Sequence, residues 1–84
     1  MTTKIICSVY DVKGAFYSTP FISLNEEMAA RDFGAVVRDP NTMLSKFPED
    51  FRLVVIAEFD DISGAVIPYK TPKFLVDAIA FIKE

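Results

Sequence analysis

The chain has 84 residues, 51% of them hydrophobic and 25% charged, with a formal net charge of −3 and a sequence pI of about 4.8. That balance excludes disordered and collagen-like chains, and a domain this small buries only roughly 63% of its unfolded surface, a marginal core for a lone monomer. With no histidine and a single cysteine, Cys7, the sequence excludes His-based acid–base chemistry, His-containing triads, His-ligated metals and an internal disulfide, and favours a reducing compartment.

Met1-Thr2-Thr3-Lys4 leads directly into Ile5 and Ile6, too short a start for a signal peptide. No apolar run approaches the roughly 18 residues of a membrane span. Residues 3–10 and 15–22 read as the two strands of a β-hairpin around Asp11-Val12-Lys13-Gly14-Ala15. The aspartate accepts turn hydrogen bonds, and Gly14 supplies the positive φ of a three-residue loop. Asn25 caps a helix predicted over 26–38, with Glu26 and Glu27 at its positive end and Arg38 at its negative end. Its apolar positions, Ala29, Ala30, Phe33, Val36 and Val37, have helical spacing. Gly34, inside that helix, points to a close approach by a strand or a partner. Asp39-Pro40 ends the helix.

Residues 39–50 form a connection bracketed by two prolines. Met43, Leu44 and Phe47 are apolar, so it packs on the body, with room for one helical turn. A second hairpin follows over 51–60 and 65–70, around Asp61-Ile62-Ser63-Gly64-Ala65, which repeats the pattern of the first turn. Such a repeat fits an old duplication or two hairpins using one favoured turn. Thr71 then caps a second helix with Pro72 as its first residue, running through the apolar Phe74 to Ile82. The expected fold class is α+β: an antiparallel β-sheet from two hairpins with two helices, order ββαββα, and residues 1–84 as one domain.

Pairing Asp11 with Ala15 sets Val9 opposite Tyr17, Cys7 opposite Thr19 and Ile5 opposite Phe21. In the second hairpin, Phe59 aligns with Ile67 and Ala57 with Tyr69, with Leu53 and Val55 beyond. This side is the expected core, under the first helix. The other side mixes Ile6, Tyr10, Phe16, Val54, Ile56 and Val66 with Lys4, Ser8, Arg52, Glu58 and Lys70, and a half-apolar face calls for a cover. The C-terminal helix is apolar nearly all round, which predicts a homodimer or higher oligomer through Phe74, Leu75, Ala78, Ile79, Phe81 and Ile82. The competing reading packs that helix across the second sheet face of the same chain.

Chemistry-bearing groups are few. Glu58, Asp60 and Asp61 could hold a divalent cation, but a polar strand end plus a turn aspartate accounts for them better. Glu49-Asp50 reads as a strand entry. Cys7, mid-strand among apolar residues and without a neighbouring base, reads as a buried small hydrophobe. Three glycines, two of them in turns, leave no phosphate loop. No enzyme, metal or cofactor is therefore expected. The one binding pattern is the pairing of aromatics with cations on the second sheet face. There Tyr10 and Phe16 can stack unpaired bases while Lys4, Arg52 and Lys70 contact phosphates. The acidic charge opposes generic phosphate affinity, so a dimer interface or a covered core face stays open as the alternative.

The chain also resembles the small nonstructural protein of gokushoviruses, microvirus phages with circular single-stranded DNA. The resemblance rests on Val9-Tyr10-Asp11, Pro20-Phe21, Asn25-Glu26, Ala29-Ala30-Arg31 with Phe33, Asp39-Pro40, and Lys46-Phe47-Pro48-Glu49-Asp50-Phe51 with Leu53. Its most distinctive part is Pro48 to Phe51 followed by Glu58-Phe59-Asp60-Asp61 and Gly64. The chain departs from that pattern where Phe51 stands for the common Tyr and Ala57 for the common Gly, and its apolar C-terminus is longer. The resemblance implies a DNA-binding or DNA-replication protein of the infected bacterial cytoplasm, outside the virion, with no catalytic residues. That family's role lies in the switch from duplex replication to single-strand synthesis and packaging. The expectation is thus a homo-oligomer that binds single-stranded DNA in phage replication. The alternative is a protein-interaction or assembly module, without DNA contact, docking on a phage or host replication protein.

Overall fold

The computed structural model describes residues 3–82; Met1 and Thr2, part of the expected short start, lie outside the described residues. In chain order the elements are β1 (Thr3–Asp11), β2 (Phe16–Tyr17), β3 (Phe21–Ser23), α1 (Glu26–Arg38), α2 (Met43–Lys46), a 3-10 turn (Pro48–Asp50), β4 (Phe51–Asp60), β5 (Val66–Asp77) and a second 3-10 turn (Ala78–Phe81). One antiparallel sheet holds all five strands. β2 and β3 share one edge of β1, β4 takes the other, and β5 lies beyond β4. The fold is α+β with an antiparallel sheet, as expected, but the order ββαββα is corrected in two places.

The first correction is a broken strand. Residues 15–22 split into β2 and β3 because Pro20 has no N–H for the ladder. At the break side-chain hydroxyls stand in for ladder partners: Val9 N donates to Ser18 Oγ at 3.0 Å, and Ser8 Oγ donates to the Ser18 carbonyl oxygen at 2.9 Å. The second correction is the C-terminal helix, which is a strand for most of its length. Arg52 pairs with Asp77, Leu53 with Val76 and Val54 with Phe74. Aromatic and β-branched side chains suit a pleated surface, and pairing along β4 outweighs helical spacing. Residues 69–72 form an irregular insertion in β5, opposite Ile56 alone. Pro72 falls within it, on the outermost strand, where no ladder N–H is needed.

The helix α1 matches its expected bounds. Asn25 Oδ1 accepts from Met28 N at 2.8 Å, and Glu26, Glu27 and Arg38 complement the helix dipole. Ala29, Phe33 and Val37 are buried against Ile5, Cys7, Leu53, Val55 and Ala78, the core of the molecule. The 39–50 connection packs on the body through Leu44, which lies against the core, and the buried Pro48, whereas Met43 and Phe47, expected to pack with Leu44, are exposed. Phe81 reaches back onto α1. Its ring meets Phe33 edge-on with centroids 6.0 Å apart, and Arg38 lies 5.2 Å from its centroid. A Cβ on Gly34 would stand 2.7 Å from that ring, so the glycine does admit a close approach, by the chain's own C-terminal turn.

Two details of register decide the sheet faces. The two turns match when Asp11 is aligned with Asp60, one residue off the sequence repeat. Ala15 N donates to Asp11 O at 2.7 Å and Gly64 N to Asp60 O at 2.8 Å. The positive φ therefore falls on Ala15 (59°) and Gly64 (80°), not on Gly14. The first loop is thereby one residue longer than expected, and the pairs become Asp11–Phe16 and Tyr10–Tyr17. Phe16 moves to the α1 side and Tyr17 to the open side. In β4, Ile56 is an extra residue between the pairs Ile6–Ala57 and Cys7–Val55. Such a bulge reverses the alternation beyond it. Ala57 and Phe59 therefore share the open face with Ile6 and Lys4, against expectation, while Glu58 joins Ile5 on the α1 side.

Candidate nucleic-acid interface

The open face carries a row of side chains across the whole sheet. The registers align Tyr17 of β2, Tyr10 of β1, Arg52 of β4 and Asp77 of β5 as successive neighbours. The rings of Tyr10 and Tyr17 lie 4.6 Å apart at 46°. The Arg52 guanidinium sits 5.6 Å from the Phe74 ring centroid, and its Nε is 3.6 Å from Asp77 Oδ1. Tyr17 is 48% exposed and Phe74 51%, so two rings present themselves to solvent at opposite sides of the row. Behind it Ser8 and Val54 are buried, and beyond them Ile22 and Val66 are exposed beside Ile6 and Phe59. The helix α1, with α2 and the C-terminal turn against it, lies on the other face.

Of the five expected contact residues, Tyr10 and Arg52 are neighbours in this row. Lys4 is on the same face at the far end of β1, where its Nζ is bonded to Asp61 Oδ2 at 2.7 Å. Phe16 is on the opposite face, where its ring covers Gly14 at the turn. Lys70 is exposed in the irregular part of β5. Sequence reasoning missed Tyr17, Phe74 and Asp77. A four-residue first loop would have found Tyr17; the other two were hidden by reading a strand as a helix. The expected oligomer residues do not form one helix face: Ala78 is buried, Leu75 and Phe81 pack on the core, and Phe74, Ile79 and Ile82 are exposed.

The carboxylates Glu58, Asp60 and Asp61 serve three separate ends. Glu58 Oε2 accepts from the Tyr69 hydroxyl at 3.1 Å, and burial together with that contact raises the Tyr69 pKa. Asp60 Oδ1 accepts from Ile62 N at 2.9 Å, a bond that lowers the carboxyl pKa. Asp61 pairs with Lys4. No metal-holding group of side chains occurs among the described residues. The buried Cys7 thiol is pushed up to about 11, by burial first and the Glu26 charge second, so it is held protonated and poorly nucleophilic. On the α1 side an open hollow of about 230 Å³ is lined by Val9, Phe21, Phe33, Val36, Leu44 and Asp32. It is below the roughly 300–1,000 Å³ of small-molecule sites. No helix among the described residues is long and apolar enough to cross a membrane.

A family model described as Phage ORF5 protein matches residues 4–81. No curated protein matches the chain, and no solved structure does.

Proposed function

The chain belongs to the Phage ORF5 protein family, and from that premise we propose that it is a nonstructural protein of the gokushovirus kind that binds single-stranded DNA during phage replication. The observation that carries this reading is the row of Tyr17, Tyr10 and Arg52 across the uncovered sheet face, with the exposed Phe74 ring beside the Arg52 guanidinium. Each base offers a π-face, and stacking on an aromatic contributes about 1–3 kcal/mol per base whatever its identity. Arg52 adds a guanidinium beside the rings. The protein acts by binding rather than catalysis, in the cytoplasm of the infected bacterium. With a net charge of −3 its affinity comes from stacking more than from phosphate contacts, so its salt slope is shallow.

The second reading is a protein-interaction or assembly module without direct DNA contact. It is favoured by one feature: Lys4 and Arg52 on the open face each already face a carboxylate, beside exposed Ile22 and Val66. Fluorescence anisotropy of labelled oligothymidylate at two salt concentrations separates the two readings. The wild type binds, and a Tyr17→Ala, Phe74→Ala double variant, which removes two exposed rings without touching the core, binds at least tenfold more weakly. A double variant that binds as tightly as the wild type refutes this site. Absence of binding at low salt and high protein concentration leaves the interaction module, whose oligomeric state light scattering reads.

A further inference from the structure

Asp77 opens the C-terminal 3-10 turn, yet its side chain makes no capping hydrogen bond. An aspartate there ordinarily turns back onto the N–H groups of its own helix. Here the carboxylate faces Arg52 of the neighbouring strand instead, at 3.6 Å from Nε. Charge-assisted N–H···O bonds run at about 2.7–2.9 Å, so the contact is loose. Both side chains are 45% exposed, so water and salt screen the pair. Arg52 is meanwhile held over the Phe74 ring, which keeps the guanidinium in the aromatic row whichever anion it faces.

We infer that Asp77 is an internal competitor for Arg52: in the free protein its carboxylate stands where a strand phosphate would sit, and binding exchanges one anion for the other. This rests on the nucleic-acid reading of the open face. The consequence is selectivity. A phosphate can take a guanidinium bidentately, which this carboxylate does not, but it must first displace the Asp77 charge. A strand that also stacks its bases on Tyr10, Tyr17 and Phe74 compensates for that displacement. A duplex, whose bases are already stacked, offers phosphates alone and is disfavoured. Asp77 thus acts as a repulsive element against duplex DNA.

The test measures labelled oligothymidylate and a duplex of equal length against the wild type, Asp77→Asn, Asp77→Asn with Arg52→Gln, and Asp32→Asn. The last removes the same unit of charge from α1, away from the open face. Asp77→Asn should bind the single strand about three- to tenfold more tightly. Its salt slope should steepen by about 0.7, one added phosphate contact, and its preference for single strand over duplex should fall. Arg52→Gln should abolish the gain, and Asp32→Asn should change affinity less than twofold. Wild-type binding with an Asp77→Asn affinity within twofold of it, or a gain matched by Asp32→Asn or surviving Arg52→Gln, overturns the inference and leaves the stacking site standing. If neither the wild type nor Asp77→Asn binds DNA at low salt, the nucleic-acid reading falls and the inference with it.

Discussion

Replacing Gly34 by alanine sets two effects against each other inside α1. Helix propensity alone favours alanine by about 1 kcal/mol at a mid-helix glycine. Packing opposes it. The new Cβ would stand 2.7 Å from both Cδ1 and Cε1 of Phe81 and 3.3 Å from Cζ. That ring has little freedom to yield, since Phe33 meets it from one direction and the Arg38 guanidinium from another. Overpacking of this kind costs about 1–3 kcal/mol, so Gly34→Ala should destabilise the protein by about 1 kcal/mol net. In a Phe81→Ala background the obstruction is gone, and the same substitution should stabilise by about 1 kcal/mol. The sign reverses, giving a coupling of about 2 kcal/mol in a double-mutant cycle. Urea denaturation of the four proteins, followed by far-UV circular dichroism, reads each term. Equal stabilisation by Gly34→Ala in both backgrounds would refute the contact between the C-terminal turn and α1.

Four further outcomes follow from the turns and the core. Ala15 has φ 59°, so Ala15→Gly should raise stability by about 1 kcal/mol; Gly64, at φ 80° in open space, should lose about as much on change to alanine, both read from urea midpoints. Asp60 has its folded pKa lowered, chiefly by the Ile62 N–H. Its contribution is therefore complete above the unfolded value of about 3.9 and is lost as pH falls through the lowered folded value. Asp60→Asn should flatten that part of an acid titration of stability, and an unchanged slope would contradict the turn geometry. The Cys7 thiol, raised to about 11, should resist Ellman's reagent at pH 8 in the native protein and react in urea; prompt native reaction would mean that β1 is not packed under α1.

Where local chemistry decides structure, the sequence was readable. Asn25, Glu26, Glu27 and Arg38 mark the ends of α1, and its apolar spacing marks the buried stripe of Ala29, Phe33 and Val37. Ile5, Cys7, Leu53 and Val55 were legible as core from alternation alone. What escaped were single-residue irregularities with non-local causes. Ala15 adopts a left-handed conformation that a glycine stood ready for one position earlier, and that shift exchanges Phe16 for Tyr17 on the open face. The extra Ile56 turns Ala57 and Phe59 outward. Nothing local to either residue announces these shifts, because a strand's alternation is reset by its partner. The apolar segment Phe74–Val76 fits a helix by spacing and a strand by residue type, and the unfilled edge of β4 decides for the strand. Two of the five residues of the candidate site were consequently visible in advance: Tyr10 and Arg52 pair on the stretch of β1 and β4 before the Ile56 bulge, whereas Tyr17, Phe74 and Asp77 depend on the shifted loop and on the strand β5.

The most direct test of the binding site is a titration of the isotope-labelled protein with a short oligothymidylate, followed by amide and side-chain NMR shifts. Binding on the open face predicts saturable shifts centred on Tyr10, Tyr17, Arg52 and Phe74, fading toward Phe21, Val36 and Leu44 around the hollow on the opposite face. Shifts centred on that hollow, or none at millimolar DNA, would contradict the account.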